Sequence, residues 1–303
     1  MSAGTPPSRA GFVALIGATN AGKSTLINRL VGAKVAIVSR KVQTTRSTIR
    51  GIVTAGATQI VFVDTPGIFS PRRRLDRAMV DAAWGGARDA DLVALLVDSA
   101  TGISGEVNDL LNRLAEIGQP KVLLLNKIDL VKREVLLELT AAANAVVPFD
   151  RTFMISAVTG DGVDDFVGYA AENLPEGPWL YPEDEISDVP LRSLAAEITR
   201  EKLFDRLHQE LPYQATVETE EWKEQKDGSV RIAQTIFVER DSQKKIVIGK
   251  GGATIKAISM AARKEIGEIA EKPVHLFLFV KVRENWADDP ERYRAMGIEF
   301  PKG

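Results

Sequence analysis

The sequence predicts two consecutive domains, an α/β domain built on a mostly parallel six-stranded sheet and then a smaller α+β domain. Three observations predict this. From Arg9 to about Leu174, short β-rich runs alternate with helical patterns, as βαβ units do when they build a parallel sheet covered on both faces. Around Pro175, Pro178, Tyr181, Pro182 and Pro190 the alternation breaks into a proline-rich acidic stretch that cannot continue a helix. Beyond the break, apolar spacing and glycine turns read in the order αββααβ.

Taken in order, the strands expected in the first domain are Phe12 to Ile16, Ile49 to Thr54, Gln59 to Val63, Leu92 to Val97, Lys121 to Leu125 and Thr152 to Ile155. Ala55 to Thr58 is too short for a crossover, so the second and third strands form an antiparallel hairpin at a sheet edge. Every other gap holds a helix: Lys23 to Val31, Leu75 to Ala87, Glu106 to Ile117, Glu134 to Ala143 and Gly162 to Leu174. The second domain reads as helix Leu191 to His208, strand Ala215 to Glu224, a turn at Lys226-Asp227-Gly228 and strand Val230 to Glu239. Helix Ser242 to Ile248, a glycine turn Gly249 to Gly252, helix Ala253 to Ala270 and strand Pro273 to Val282 follow. The division expected is a flexible tail 1–8, a first domain 9–178, a linker 179–190, a second domain 191–284 and a C-terminal helix and tail 285–303. In that last stretch Trp286, Tyr293 and Phe300 are expected to pack as core.

The composition fits. Of 303 residues, 45% are apolar and 26% charged, which excludes disorder. With no cysteine, thiolate metal sites, redox pairs and thiol nucleophiles are excluded, and with only His208 and His275, imidazole chemistry is not expected. No apolar run approaches the roughly 18 residues of a membrane span, and the first residues lack an apolar signal core, so a cytoplasmic location is expected. The formal charge is −2, and residues 190–303 carry only +1, so any contact with a polyanion needs a local patch.

Directly after the first strand, Gly17-Ala18-Thr19-Asn20-Ala21-Gly22-Lys23-Ser24-Thr25 fits GxxxxGK[ST] in its strand-then-helix setting. Such glycines fold the backbone into a nest of N–H donors at a helix N-terminus, which suits phosphate oxygens. Lys23 is expected on the β and γ phosphates and the Ser24 hydroxyl on Mg²⁺.

Three further pieces end predicted strands, where an open α/β sheet binds ligand. In Asp64-Thr65-Pro66-Gly67, Asp64 can hold Mg²⁺ through water and the Gly67 N–H can sense the γ-phosphate. In Asn126-Lys127-Ile128-Asp129, the Asp129 carboxylate suits the two adjacent donors on the Watson–Crick edge of guanine, which adenine lacks. Ser156-Ala157 completes the pocket, with the Ala157 N–H expected to point at guanine O6. Between the first helix and the hairpin, Ser39 to Arg46 is polar, basic and unpatterned, which suits a mobile segment. Thr45 is its candidate for a hydroxyl that joins Mg²⁺ only when the γ-phosphate is present.

The set GATNAGKST, QTTR, DTPG, NKID and SA resembles the translation-factor-related P-loop GTPases, and specifically the Era family. In that group a hydrophobic residue follows DTPG where Ras-type enzymes carry a water-orienting glutamine; here it is Ile68, which implies slow unassisted hydrolysis of GTP to GDP. The resemblance also implies that Asn20 helps bind K⁺ in place of an arginine finger; a turn-forming asparagine is the other reading. Lys23, Asn20, Thr45 and Gly67 are the catalytic candidates, and all of the electrostatic work falls to them, Mg²⁺ and the backbone nest.

In the second domain, Gly249-Lys250-Gly251-Gly252 between two helices of an αββααβ order matches the KH module, of type II topology, whose GxxG loop clamps single-stranded nucleic acid. Lys244, Lys245, Lys250 and Lys256 concentrate positive charge there, and Ile248 is a candidate base contact; of Ile246, Ile248, Ile255 and Ile258 most are expected in the core. Glu218 to Glu224 reads as a solvated acidic face, and Arg72 to Arg74 as a solvated run or an RNA contact. From the Era resemblance, the partner implied is the 3′ end of small-subunit ribosomal RNA during assembly of the small ribosomal subunit; a monomer is expected. A competing reading is a signalling or membrane-peripheral GTPase, at the inner face of the cell membrane, whose second domain binds protein.

Overall fold

The computed structural model describes residues 7–39, 41, 44–68, 71, 74–207 and 211–301. It divides into two compact units: 1–35 with 45–188 and 293–303, and 36–44 with 189–292. The expected features at Arg40, Val42, Gln43, Arg72, Arg73 and His208 lie outside the described residues.

In the first unit, β1 (Arg9–Gly17), β2 (Ile49–Ala55), β3 (Thr58–Asp64), β4 (Leu92–Asp98), β5 (Lys121–Asn126) and β6 (Arg151–Met154) form one sheet in the order β2-β3-β1-β4-β5-β6. Only the β2/β3 pair is antiparallel, as the four-residue connection requires. The strands β1, β3, β4 and β5 are buried almost throughout because helices cover both faces of the sheet. Those helices are α1 (Lys23–Val31), α2 (Arg74–Asp89), α3 (Gly105–Ala115), α4 (Arg133–Asn144) and α5 (Val163–Asn173). Each turns an apolar stripe inward; in α3 it is Val107, Leu110, Leu111 and Leu114, and Ser104 caps the first turn by accepting from the Val107 N–H at 3.4 Å. Trp84 of α2 is buried in this core with the Arg113 guanidinium 4.6 Å from its ring.

The proline-rich stretch is tied to the sheet edge. The Ile52 N–H donates to Ile186 O at 2.9 Å, and the buried Gln59 side chain donates to Tyr181 O at 2.8 Å while accepting from the Leu180 and Tyr181 N–H groups. These bonds saturate an edge that would otherwise present unpaired backbone groups. Residues up to Asp188 therefore fall in the first unit, and Ser8, read as part of a flexible tail, accepts from the Gly177 N–H at 3.0 Å.

In the second unit, β7 (Ala215–Glu224), β8 (Val230–Val238) and β9 (Val274–Val282) form a sheet in that order, β7/β8 antiparallel and β8/β9 parallel. Helices α6 (Leu191–Arg206), α7 (Asp241–Ile248) and α8 (Ala253–Ala270) lie on one face. Leu203, Ile236, Val247 and Ile258 form one core cluster there, and Ile198, Ile232, Ala262 and Ile266 another. The segment 36–44, from the loop between α1 and β2, belongs to this unit, and Ile37 is buried with Leu194, Ala195 and Ile198.

The C-terminal stretch is shorter in regular structure than expected. A turn at Trp286–Asp288 and a six-residue helix α9 (Pro290–Ala295) replace a single terminal helix, because Pro290 can only begin one and Gly297, at φ 68°, ends it. Trp286 and Tyr293 are buried, and Phe300 meets Tyr293 edge to face at 4.9 Å. The Arg74 guanidinium lies 5.3 Å from the Phe300 ring centroid.

Candidate nucleotide and nucleic-acid sites

The nucleotide site is built at the carboxyl ends of β1, β3, β5 and β6. Gly22 adopts φ 103° and Asn20 φ 62°, so the chain curls sharply before α1, the backbone form that anion-binding nests use. Lys23 is buried, and its ammonium donates to Gly17 O at 2.9 Å and Ala18 O at 3.0 Å. Burial pushes its pKa down to about 8, opposed by the Asp64 charge. The loop carbonyls thus hold the cation at the nest that the strand and helix create.

Three oxygens meet beside it. Ser24 Oγ donates to Asp64 Oδ2 at 2.8 Å and lies 2.9 Å from Thr45 Oγ1, which is itself 3.5 Å from Asp64 Oδ2. Asp64 is fully buried, which pushes its carboxyl up to about 6, opposed by Lys23 and by the Ser24 and Thr45 hydroxyls. Its Oδ1 has no hydrogen-bond partner among the described residues. A buried carboxylate oxygen left free next to two hydroxyls suits a small hard cation such as Mg²⁺, which takes oxygen ligands and one or two carboxylates. Thr45 is buried and bonded, where the sequence reading expected it in a mobile segment; its hydroxyl finds partners in two other elements, which a local reading cannot see.

Gly67 sits against Thr19: a Cβ there would lie 3.0 Å from Thr19 Cγ2 and 3.2 Å from Thr19 Cα, so a side chain would press on the nest. The next residue, Ile68, donates its N–H to Gly17 O at 3.2 Å and turns its side chain into the apolar core. It presents no group that could orient water.

The base-side motif is divided in its work. Asn126 is buried and donates to Ala21 O at 2.8 Å while accepting from the Ala157 N–H at 3.0 Å. The Ala157 N–H, expected at guanine O6, here donates to Asn126 Oδ1, since a buried N–H needs an acceptor. Lys127, at φ 64°, donates to Asn20 O at 2.9 Å and pairs with Asp98 at 2.6 Å. Asp129, in the short turn after β5, keeps its side chain exposed, free to meet a base. Ser156 is buried; its N–H donates to Asp161 O at 3.0 Å and its hydroxyl accepts from the Thr159 N–H at 3.1 Å, so it shapes the loop.

Sequence reasoning missed Asp98. It ends β4 at the same sheet edge as the other motifs, and a carboxylate closing an apolar strand there was the available signal.

In the second unit, Gly249, Gly251 and Gly252 all have positive φ (74°, 59° and 78°). A Cβ at Gly249 would fall 2.2 Å from Thr254 Oγ1, so the loop can pack on α8 only as glycine. Lys245, Lys250 and Lys256 are exposed around the loop, and Lys244 is half-buried. Ile258 is core, Ile248 and Ile255 are half-buried, and Ile246 is exposed. On β7, Glu220 is held below the usual carboxylate range by its bonds from Thr235 and Lys281.

The comparisons agree with both halves. Residues 12–127 match the family model described as 50S ribosome-binding GTPase, and residues 210–287 match the KH domain model. The chain is 72% identical to GTPase Era of Rhizobium meliloti over 301 residues, covering 99% of this chain and 96% of that one. This chain belongs to the Era family of GTPases. A second relative, GTPase Era of Agrobacterium fabrum, is 70% identical over 297 residues, 98% of this chain and 94% of that one. Among solved structures, Era of Aquifex aeolicus in a variant form bound to GDP and AlF4⁻ superposes with TM-score 0.89 at 36% identity, covering 95% of this chain and 99% of that one. Era in complex with MgGDPNP and nucleotides 1506–1542 of 16S ribosomal RNA gives TM-score 0.90 at 36% identity, covering 96% and 99%. As in that family, a P-loop GTPase domain is followed by a KH domain, and no described helix of this Era-family chain is long and apolar enough to cross a membrane.

Proposed function

We propose that this GTPase is a nucleotide-driven switch that binds the 3′ end of small-subunit ribosomal RNA and acts in assembly of the small ribosomal subunit. The observation that carries the reading is one chain holding both the Ser24–Thr45–Asp64 oxygen cluster beside Lys23 and a glycine loop ringed by lysines between α7 and α8. The Era complex with a 16S ribosomal RNA segment supports the choice of partner.

In this reading the nest from Gly17 to Thr25 binds the phosphates, Lys23 faces the β and γ groups, and Ser24, Thr45 and Asp64 hold Mg²⁺. The metal would neutralise charge on the transferring phosphoryl. Gly67 and Thr45 sense the γ-phosphate, Asp129 selects guanine, and Asn126 and Lys127 brace the P-loop from behind. Ile68 leaves intrinsic hydrolysis slow. Asn20 binds K⁺ beside the phosphates; equal turnover in KCl and NaCl for wild type and Asn20→Ala alike would remove it from the mechanism. Gly249 to Gly252 clamp the RNA backbone, with Lys244, Lys245, Lys250 and Lys256 as counter-charges and Ile248 against a base.

The test is binding of a short single-stranded fragment from the 3′ end of small-subunit ribosomal RNA by fluorescence anisotropy, with a GTP analogue and with GDP, across a salt series. Affinity is expected to depend on the nucleotide, to fall steeply with salt and to be lost in the Lys250→Asp/Lys256→Asp variant. A protein-binding second domain, the competing reading, would leave the RNA unbound at low salt.

A further inference from the structure

Helix α1 begins at the P-loop with Lys23 and Ser24, and its last turn carries Arg29, an exposed arginine. The guanidinium does not trail into solvent. Its Nε donates to Ala157 O at 3.3 Å and its Nη2 donates to Val158 O, so it holds two successive carbonyls of the loop after β6. A Cβ at Gly160, which has φ 97°, would lie 3.9 Å from Arg29 Cζ, so the planar head runs along the loop as far as that glycine. The rigid fork of an arginine suits two neighbouring acceptors in a way that the single ammonium of a lysine does not.

Ala157 is thereby held on both sides. Asn126 Oδ1 accepts its N–H at 3.0 Å, and Arg29 takes its carbonyl. The two planar peptide units that meet at Ala157 are each tied to another element, which leaves its φ and ψ little room. Within the loop, the Gly160 N–H donates to Ser156 O at 2.8 Å and the Ser156 N–H donates to Asp161 O at 3.0 Å. The turn from Ser156 to Asp161 is therefore closed on itself, and the grip of Arg29 on two of its carbonyls is passed to the rest. Arg29, Asn126 and the whole turn belong to the first unit.

We propose that Arg29 is a positioning residue of guanine-nucleotide binding: by holding the Ala157 and Val158 carbonyls it fixes the Ser156–Ala157 loop against α1, the helix that starts at the phosphates, and so slows the escape of the bound nucleotide. The inference rests on the reading above, in which this loop completes the base pocket. It gives Arg29 no contact with the nucleotide; its effect passes through the loop.

The test uses the full chain as wild type, Arg29→Met and Arg29→Lys. Dissociation of fluorescent GDP and of a fluorescent GTP analogue is followed after a chase, single-turnover hydrolysis is measured at saturating GTP, and amide hydrogen exchange is read on the nucleotide-free protein. Arg29→Met is expected to speed the dissociation of both nucleotides alike, about threefold to tenfold, the scale of one or two hydrogen bonds. The hydrolysis rate of bound GTP should stay at the wild-type value, because the groups around the γ-phosphate keep their partners. Arg29→Lys should recover part of the retention, since one donor can still reach one carbonyl. The amides of residues 157–160 should exchange faster in Arg29→Met, while those of β4 keep their wild-type rates. The proposal is overturned if dissociation is unchanged in Arg29→Met, or if it quickens with no change in exchange at 157–160. It is equally overturned if the hydrolysis rate and the melting temperature fall in step with retention, which marks a merely structural role. Should Arg29→Met not fold, Arg29→Gln keeps a polar side chain too short to span both carbonyls and must quicken dissociation in the same way; an unchanged rate refutes the proposal. A wild type that retains neither nucleotide would instead refute the functional reading itself.

Discussion

A side chain at Gly22 would place its Cβ 2.3 Å from Asn126 Nδ2, and Asn126 cannot step aside because its amide is bonded to Ala21 O and to the Ala157 N–H. The P-loop and the base-side loop are therefore locked by one amide. Gly22→Ala meets both this clash and an unfavourable φ of 103°, and it should cost about 1–3 kcal/mol. Asn126→Ala leaves two buried polar groups unpaired, again about 1–3 kcal/mol each. Both variants should melt several degrees lower without nucleotide and bind GDP more weakly; unchanged melting for Asn126→Ala would mean that water replaces the bridge.

Asp129 stands exposed at the end of β5, with no described bond that would hold it away from a base. Asp129→Ala should weaken GTP binding by about 1–3 kcal/mol or more, the cost of leaving buried donors unpaired, while leaving weak ATP binding as it was. Asp129→Asn goes further, because an amide offers one acceptor and one donor, which fits the N1–H and C2 carbonyl of xanthine. Competition with guanine, adenine and xanthine nucleotides reads this directly, and an Asp129→Asn variant that still prefers GTP would separate Asp129 from base selection.

Ser24 and Thr45 both meet Asp64 Oδ2, and under the proposed function they serve different states. Ser24→Ala should weaken Mg²⁺-dependent binding of GDP and GTP alike. Thr45→Ala should weaken the GTP analogue by about tenfold, near 1.4 kcal/mol, and leave GDP unaffected. Calorimetry with both nucleotides, with and without Mg²⁺, distinguishes them; equal losses for GDP and GTP in Thr45→Ala would count against a γ-phosphate sensor.

Buried charge at Asp64 and Lys23 is a liability for folding of the nucleotide-free protein. Asp64 has a folded pKa of about 6 against an ordinary 3.8, so its contribution favours folding below pH 3.8 and is lost as pH rises through about 6. Lys23 has a folded pKa of about 8 against 10.5, so its contribution favours folding above pH 10.5 and is lost as pH falls through about 8. Between about pH 6 and 8 both groups are charged and neither helps. Asp64→Asn should therefore raise the melting temperature of the nucleotide-free protein at pH 7 and flatten the acid side of its pH profile, while losing the stabilisation that Mg²⁺ and GTP give. A melting temperature that falls in Asp64→Asn would show that the Ser24 and Thr45 bonds outweigh desolvation.

What the sequence determined by itself is whatever is local or periodic. The strand and helix order, the β2/β3 hairpin and the place of each motif at a strand end follow from apolar spacing and from turns too short for a crossover. The P-loop and the Gly249–Gly252 turn were legible because backbone geometry there needs glycine whatever surrounds it. Only the tertiary structure decided which atoms meet across long stretches of chain. It gave the Ala157 N–H to Asn126, paired Lys127 with Asp98, laid the proline-rich stretch along β2 and β3, and set the loop before Thr45 on α6 through Arg200, Glu201 and Lys41. Most of these satisfy a buried polar group or an open sheet edge. Their partners lie dozens of residues away, so no local pattern in the chain could have named them.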